Sequence, residues 1–152
     1  MLDIIKKNLA ALTSSNWGEY RTTLAGDAAY EEVPSQTRVV GLEQCLAAAQ
    51  RWKTAFPDLR ATINRAYTAG DRAVVEVEWE GTQSGPLEGV FGSLPPTHRR
   101  GRVHAVMVFT VRDSKIVDSR HYFDMLTVLA QLGVAPIIGS GMGASHSESA
   151  RW

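Results

Sequence analysis

The sequence predicts a single α+β domain, in which a curved antiparallel sheet wraps around N-terminal and central helices and forms a cone-shaped pocket. Two observations predict this fold. Apolar residues recur at helical spacing up to Pro57, and strand-like alternation dominates the chain from there to about residue 124. A sheet curled around helices leaves one open mouth, where a small ligand can bind.

Three helices are predicted before Pro57. The first carries an apolar stripe made of Leu2, Ile5, Leu9 and Leu12. Asn16, with Glu19 three residues later, has the pattern of a capping box and predicts the start of a second, short helix. A short strand is expected around 28–33, and a third helix covers 42–56.

The rest of the chain predicts antiparallel strands and one more helix. The clearest strand alternates apolar and acidic side chains, with Ala73, Val75, Val77 and Trp79 on one face and Glu76, Glu78 and Glu80 on the other. A long Gly/Pro-rich connection at 81–102 is expected to form the rim of the pocket. Strands near 102–112 and 115–124 follow, and a helix covers 125–132.

Composition excludes several classes of function. Sixteen basic residues balance sixteen acidic ones, so no net field attracts nucleic acid or an anionic membrane. The single cysteine, Cys45, cannot form an internal disulfide and suits a reducing compartment. No long apolar segment or secretory signal is recognised, and the histidines lack metal-ligand spacing. We therefore expect a cytoplasmic protein that needs no metal.

Asp124 lies where the last strand meets the last helix, which gives it two possible roles. Aspartate is a good N-cap, and an apolar-periodic helix follows it. Strand alternation also puts it on one face with four other side chains, namely Tyr122, Arg120, Asp118 and Ile116. On that face Asp124 can act as a general base next to a carbonyl group, with Tyr122 stabilising or protonating the enolate. Arg120 would either lower the pKa of Asp124 or form a structural ion pair.

Whether His104 joins this face depends on the hairpin at "VRDS". A type I turn followed by a bulge, with Ser114 in the left-handed conformation, would place His104 near Tyr122 or Asp124. A two-residue loop would place Met107 and Phe109 there instead. We favour the bulged turn because "DS" lacks the Asn-Gly chemistry of two-residue loops. Three aromatic residues are further pocket candidates, although such stripes are usually packing: Trp79, Tyr30 and Trp52.

Two segments resemble the SnoaL-like polyketide cyclase family, which belongs to a wider cone-shaped superfamily that includes ketosteroid isomerase and nuclear transport factor two. They are "EWEGTQSGPLEGVFGSLPPT" at 78–97 and "RDSKIVDSRHYFDMLTVLAQLGV" at 112–134. The resemblance covers about residues 1–134, as one domain. Residues 135–152 are left as a C-terminal tail that we expect to be flexible.

The resemblance implies a cofactor-free cyclase or isomerase of antibiotic biosynthesis that uses general acid/base chemistry on a polyketide-like or other cyclic ketone, with intramolecular aldol ring closure as the expected reaction. By position, Asp124 would be the general acid/base and His104 its assistant. Gln83 stands where the family often has histidine and Arg120 where it often has tryptophan, and both are expected at the substrate. The alternatives are epoxide opening by Asp118, Arg120 and Asp124, or a non-catalytic ligand-binding module. We expect a homodimer, or a dimer of dimers, formed through the outer face of the sheet.

Overall fold

The computed structural model describes residues 1–134, so the predicted tail at 135–152 lies outside the described residues. Four helices and eight strands make up this part of the chain. In order, they are α1 (Leu2–Thr13), α2 (Trp17–Thr23), β1 (Leu24–Glu32), β2 (Thr37–Val40), α3 (Leu42–Ala55), β3 (Arg60–Ala69), β4 (Arg72–Thr82), β5 (Leu87–Gly89), β6 (Gly92–Leu94), β7 (Arg100–Arg112), β8 (Lys115–Phe123) and α4 (Met125–Gln131).

Six strands form one curved sheet in the order β2-β1-β8-β7-β4-β3, while β5 and β6 make a separate small hairpin. Neighbouring strands of the large sheet are antiparallel, with β1 and β8 as the parallel exception. The predicted α+β architecture is confirmed. Within residues 1–134, no helix has both the length and the apolar character needed to cross a membrane.

The core lies between the helices and one face of the sheet, which we call the inner face. Helices α1 and α3 contribute Ile5, Leu9 and Leu46, and each of these is at most 3% exposed. Strands β4 and β7 meet them with inward rows comprising Ala73, Val75, Val77, Trp79, Ala105, Met107 and Phe109. Burying each large apolar side chain contributes roughly 1.5–3 kcal/mol, so this contact holds the helices on the sheet.

The Asn16 N-cap predicted for α2 is present, but the reciprocal half of the capping box is not, because the Asn16 backbone N–H donates to the Ala11 carbonyl oxygen instead. The Asn16 side-chain oxygen accepts a hydrogen bond from the backbone N–H of Glu19 at 3.2 Å, and the Asn16 amide donates to the Glu19 carboxylate at 3.3 Å. This cap satisfies one of the backbone donors that a helix start leaves free. It sharply separates α2 from α1.

The hairpin between β7 and β8 differs from the predicted bulged turn. Arg112 pairs directly with Lys115, so the loop has two residues, Asp113 and Ser114. Both are left-handed, with φ of 48° and 58°. This is the geometry of a type I′ turn, whose twist matches that of the flanking strands, and aspartate tolerates it better than most residues. The turn prediction was therefore wrong.

A bulge lies one step further along β8 instead. Val111 pairs with Ile116, but Thr110 pairs with Asp118, so Val117 is an extra residue on β8. The bulge reverses the alternation at this point. Ile116, 1% exposed, therefore lies in the core, although the sequence placed it on the same face as Asp118.

From the bulge onwards, β8 presents two rows of side chains. Ser119, His121 and Phe123 face the helices, and Ser119 and His121 are buried. Arg120 and Tyr122 are exposed on the opposite, outer face, where Tyr122 pairs with Val106 and Arg120 with Val108. The pairing of β7 with β8 that brings His104 near Tyr122 is thus present, but both of these side chains lie on the solvent side of the sheet.

The outer face carries an exposed apolar strip that comprises Tyr67, Val74, Val106 and Tyr122. Acidic Glu76 on β4 pairs with Val106 on β7, and basic Arg120 lies on β8, the next strand beyond β7, so two copies related by a twofold axis can match unlike charges across the strip. The homodimer through this face stays a prediction.

We expect Val106→Asp to convert the dimer to monomer, because a carboxylate would be buried without a partner at the centre of the strip. Sedimentation equilibrium measures the change directly. Val90→Asp is the matched control, since Val90 is 74% exposed near the β5–β6 turn, away from the strip. If both variants have the wild-type mass, the interface lies elsewhere.

Candidate active site

A cavity opens between α1, α3 and the inner face of the sheet. Its empty space, counting the part open to solvent, is about 970 Å³, and its lining is predominantly apolar. Aromatic rings form much of the wall, and they belong to Tyr20, Tyr30, Trp52, Phe56, Trp79, Phe109 and Phe123. An apolar cavity with a few placed polar groups is typical of small-molecule sites.

His121 supplies a central polar group of this wall. The indole N–H of Trp79 donates to His121 Nε2 at 3.1 Å, and the hydroxyl oxygen of Tyr30 lies 3.2 Å from Nδ1. Because a neutral imidazole has one N–H and Nε2 is accepting, Nδ1 carries the proton and donates it to Tyr30. Burial lowers the pKa of His121 to about 3, so the ring is neutral at pH 7.

Behind Tyr30 lies the buried carboxylate of Glu32. Its Oε2 accepts from the Trp52 indole N–H at 2.7 Å and from an Arg51 N–H at 3.3 Å, and it lies 3.5 Å from the Tyr30 hydroxyl. Its Oε1 accepts from the Ser35 hydroxyl at 2.8 Å. Burial, followed by the nearby Glu32 charge, raises the pKa of Tyr30 well above its ordinary value, so the phenol keeps its proton.

Asp124 is the N-cap of α4, as its sequence context predicts. The carboxylate accepts from the backbone N–H of Leu126 at 3.0 Å and from the Thr127 hydroxyl at 2.6 Å. The Thr127 hydrogen bond, ahead of that from Leu126, lowers the pKa of Asp124. The side chain is exposed and does not line the cavity, which corrects its expected position. Its catalytic role stays a prediction, now without a cavity position to support it.

His104, Arg120 and Tyr122 also lie outside the cavity. The His104 side chain is 78% exposed and stands 3.5 Å from Glu78 on the outer face. Arg120 lies between Glu31 and Asp118, at 3.5 and 3.7 Å. The expectation that these groups share the concave face is wrong, because turning a guanidinium and a carboxylate inwards would cost more than turning Ser119 and His121 inwards.

The three aromatic candidates do meet in the cavity wall. Trp79 and Tyr30 flank His121, and Trp52 packs edge-on against Phe123 with ring centroids 5.7 Å apart. Their role in substrate binding stays a prediction, but the structure places all three where a ligand would contact them.

Gln83, expected at the substrate, is instead fully buried away from the cavity and holds the long loop together. Its amide N–H groups reach three carbonyl oxygens, those of Gly85, Leu94 and Pro95, at 2.9–3.2 Å. Its carbonyl oxygen accepts from both the backbone N–H and the hydroxyl of Thr97, at 3.0 and 2.7 Å. All hydrogen-bonding groups of the side chain are therefore occupied by the loop.

Replacing Gln83 by Ala should lower the free energy of unfolding by about 2–4 kcal/mol, because several buried polar groups lose their partner at once. Urea denaturation measures this change. Gln44→Ala is the matched control, since Gln44 is exposed on α3 and alanine is the best helix former. Equal stability of the two variants would contradict the structural role of Gln83.

The sequence analysis missed His121 and Glu32. One signal was available for β8, because the row Ser119, His121 and Phe123 carries no formal charge while the alternate row carries Asp118 and Arg120. A sheet face that packs on helices favours the row without charges. The sequence offered no comparable signal for Glu32, because its burial depends on α3 covering the end of β1.

Over most of its length the chain is similar to known proteins. The sequence pattern described as SnoaL-like polyketide cyclase matches residues 3–132. The chain belongs to the SnoaL-like polyketide cyclase family. Among proteins with curated descriptions, none matches the chain significantly.

Solved structures share the ketosteroid isomerase-like cone fold. IdmH from Streptomyces antibioticus, a candidate polyketide cyclase, is 28% identical with a TM-score of 0.73, and the match covers 87% of this chain and 97% of that one. TsrD from Streptomyces laurentii is 25% identical with a TM-score of 0.74, covering 88% and 95%. An epoxide hydrolase of M. tuberculosis, described as LEH-like, is 20% identical with a TM-score of 0.66, covering 86% of both chains, and shows the fold alone.

The low pKa of His121 makes stability depend on pH in one direction. Below pH 6.5 the imidazole of His121 is protonated in the unfolded chain but stays neutral in the folded one. The free energy of unfolding therefore falls by about 1.4 kcal/mol for each pH unit of acidification, until the folded pKa of about 3 is reached. By pH 4.5 this contribution is about 3 kcal/mol.

His121→Gln should therefore lose less stability between pH 7 and pH 4.5 than the wild type, by about that amount. Urea denaturation at the two pH values measures the difference. His98→Asn is the matched control, because His98 is exposed and its positive φ of 57° is tolerated by asparagine. Equal declines in the wild type and His121→Gln would show that His121 is not buried as a neutral ring.

Proposed function

We propose that the protein is a cofactor-free cyclase or isomerase that acts on a polyketide-like or other cyclic ketone, with His121 as its general base. One observation carries the proposal: the neutral imidazole of His121 lines an apolar cavity and is held on both sides by Trp79 and Tyr30. Membership of the cyclase family supports the same class of reaction.

In the proposed reaction, His121 Nε2 removes a proton from the carbon next to a substrate carbonyl, and the C–H electron pair moves to form an enolate. The Trp79 indole N–H, no longer donating to Nε2, can donate to the enolate oxygen. In ring closure the enolate carbon attacks a second carbonyl group of the substrate. The oxygen of that second carbonyl group becomes an alkoxide and takes the proton back from His121. No proton or electron is gained or lost in the cycle.

The low pKa of free His121 does not prevent this role. Burial lowers the pKa, because a charged imidazolium has little water to solvate it and no anion in direct contact with the ring. An enolate that forms beside the ring is such an anion. The basicity of His121 therefore rises as the reaction proceeds, and the ion pair is stabilised beside a predominantly apolar wall.

Epoxide opening by Asp118, Arg120 and Asp124 has less support. Arg120 is exposed on the outer face, and none of the three side chains lines the cavity. A ligand-binding module would use the same cavity without turnover, so an assay for conversion separates it from the enzyme. Among the described residues, no group of three or more His, Cys, Asp or Glu side chains could hold a metal ion.

Turnover should be sought with a panel of polyketide esters, cyclic ketones and epoxides. On the best substrate, His121→Gln should reduce kcat by about 10²–10⁴-fold because the proton acceptor is lost. His98→Asn is the control for a histidine outside the cavity. Greater losses in Asp124→Asn and His104→Gln than in His121→Gln would return the catalytic role to the residues that the sequence indicated. Tight binding without conversion would favour the module.

A further inference from the structure

We infer that Glu32 is a positioning residue, which acts through Tyr30 to hold His121 in the tautomer whose Nε2 carries no proton and can therefore accept one. The inference rests on the proposed function in one respect: it takes His121 to be the base that removes a proton from the substrate. The hydrogen-bond chain itself is a property of the free protein.

The location of Glu32 first needs a physical explanation. Its side chain is 3% exposed, and burying a carboxylate costs several kcal/mol unless it is well paired. Donors from Ser35, Arg51 and Trp52 surround it at 2.7–3.3 Å, so the carboxylate is paired. An apolar residue would fill such a position at lower cost, and the buried charge therefore indicates a role beyond stability.

Strand pairing brings this carboxylate close to His121. In the parallel ladder between β1 and β8, Glu32 pairs with His121 and Tyr30 with Ser119. Tyr30 and Glu32 are two residues apart on β1, so both side chains lie on the inner face. The Tyr30 hydroxyl thus stands between the imidazole, 3.2 Å from Nδ1, and the carboxylate, 3.5 Å from Oε2.

The two ends of the chain fix the direction of every proton in it. An indole N–H can only donate, so Trp79 makes His121 Nε2 an acceptor. An ionised carboxylate can only accept, so Glu32 draws the Tyr30 hydroxyl proton towards itself. Tyr30 then presents its lone pairs to the Nδ1–H of His121. Trp79, His121, Tyr30 and Glu32 therefore have one consistent hydrogen-bond arrangement.

This arrangement matters when His121 takes a proton at Nε2. The imidazolium then faces the Tyr30 oxygen, with the negative charge of Glu32 one hydrogen bond further away. No covalent step is required of Glu32. Without that charge, Tyr30 is free to turn its proton towards Nδ1, and the ring loses both its orientation and its electrostatic support.

Glu32 also holds Trp52 and Arg51, so a loss of activity alone would not separate positioning from structure. The readout that separates them is the side-chain ¹⁵N spectrum of His121 in the free, ¹⁵N-labelled protein, which reports the tautomer. We expect a single Nδ1–H form in the wild type. Tyr30→Phe removes the acceptor of that proton and should shift the Nδ1 signal while leaving Glu32 with its three other donors.

The decisive comparison is a double-mutant cycle. Glu32→Gln should shift the Nδ1 signal in the wild-type background and have no further effect in the Tyr30→Phe background, because its influence passes through Tyr30. Ser35→Ala is the matched control, since it removes a partner of Glu32 Oε1 that is not on the path to His121. It should leave the signal unchanged.

Two results would overturn the inference. One is a His121 spectrum that stays at wild type in Tyr30→Phe or in Glu32→Gln. The other is a Glu32→Gln shift that persists at full size without the Tyr30 hydroxyl. In turnover assays, Glu32→Gln should lower kcat at least about tenfold with little change in KM.

The two proposals can fail separately. If His121→Gln retains full turnover, the proposed function is wrong. The ¹⁵N spectra of the free protein still show whether the hydrogen-bond chain from Trp79 to Glu32 exists.

Discussion

The bulge at Val117 decides which side chains of β8 face the helices and the cavity. Before the bulge, Ile116 packs in the core, and after it Ser119 and His121 do so. A β8 strand without the bulge would turn its charged row, with Asp118 and Arg120, towards the helices. The helices could then not close on the sheet, because buried charges without partners cost far more than the apolar contacts return. One inserted residue therefore allows both the core and the cavity to form.

The cavity combines an apolar wall with a short chain of polar groups whose protons are fully assigned. Trp79 and Glu32 end this chain with a pure donor and a pure acceptor, and His121 and Tyr30 lie between them. Such a chain can be buried because each polar group has a partner. It also leaves the imidazole neutral, with its Nε2 lone pair directed at the Trp79 indole N–H, the donor that the substrate would replace in the proposed reaction.

Other polar clusters of the molecule have different tasks. Gln83 uses its whole amide to hold the long loop against the domain, and Asp124 starts α4. In both cases the hydrogen bonds that fix the backbone also occupy the atoms that a substrate would need. Both residues lie in the segments that resemble the cyclase family, so resemblance in sequence identifies the family without showing which residues of these segments contact a substrate.

The sequence by itself determined the class of fold, the helices up to Pro57, the Asn16 cap and the alternation of β4. Each of these depends on neighbours in the chain, through helical spacing, capping or period two. It also determined that Asp124 begins a helix. The family could be recognised from two segments, because their order of glycine, proline and apolar residues reflects one loop and one strand-to-helix junction.

The tertiary structure alone decided which side of β8 faces the helices and which carboxylate lies near His121. The side of β8 that faces the helices depends on the bulge at Val117, which the two-residue turn does not require. Because side chains alternate along a strand, one extra residue exchanges its two faces. The carboxylate that lies near His121 depends on the parallel pairing of β1 with β8, which joins segments about 90 residues apart. No local pattern records that pairing, since Glu32 and His121 become neighbours only when the sheet has formed.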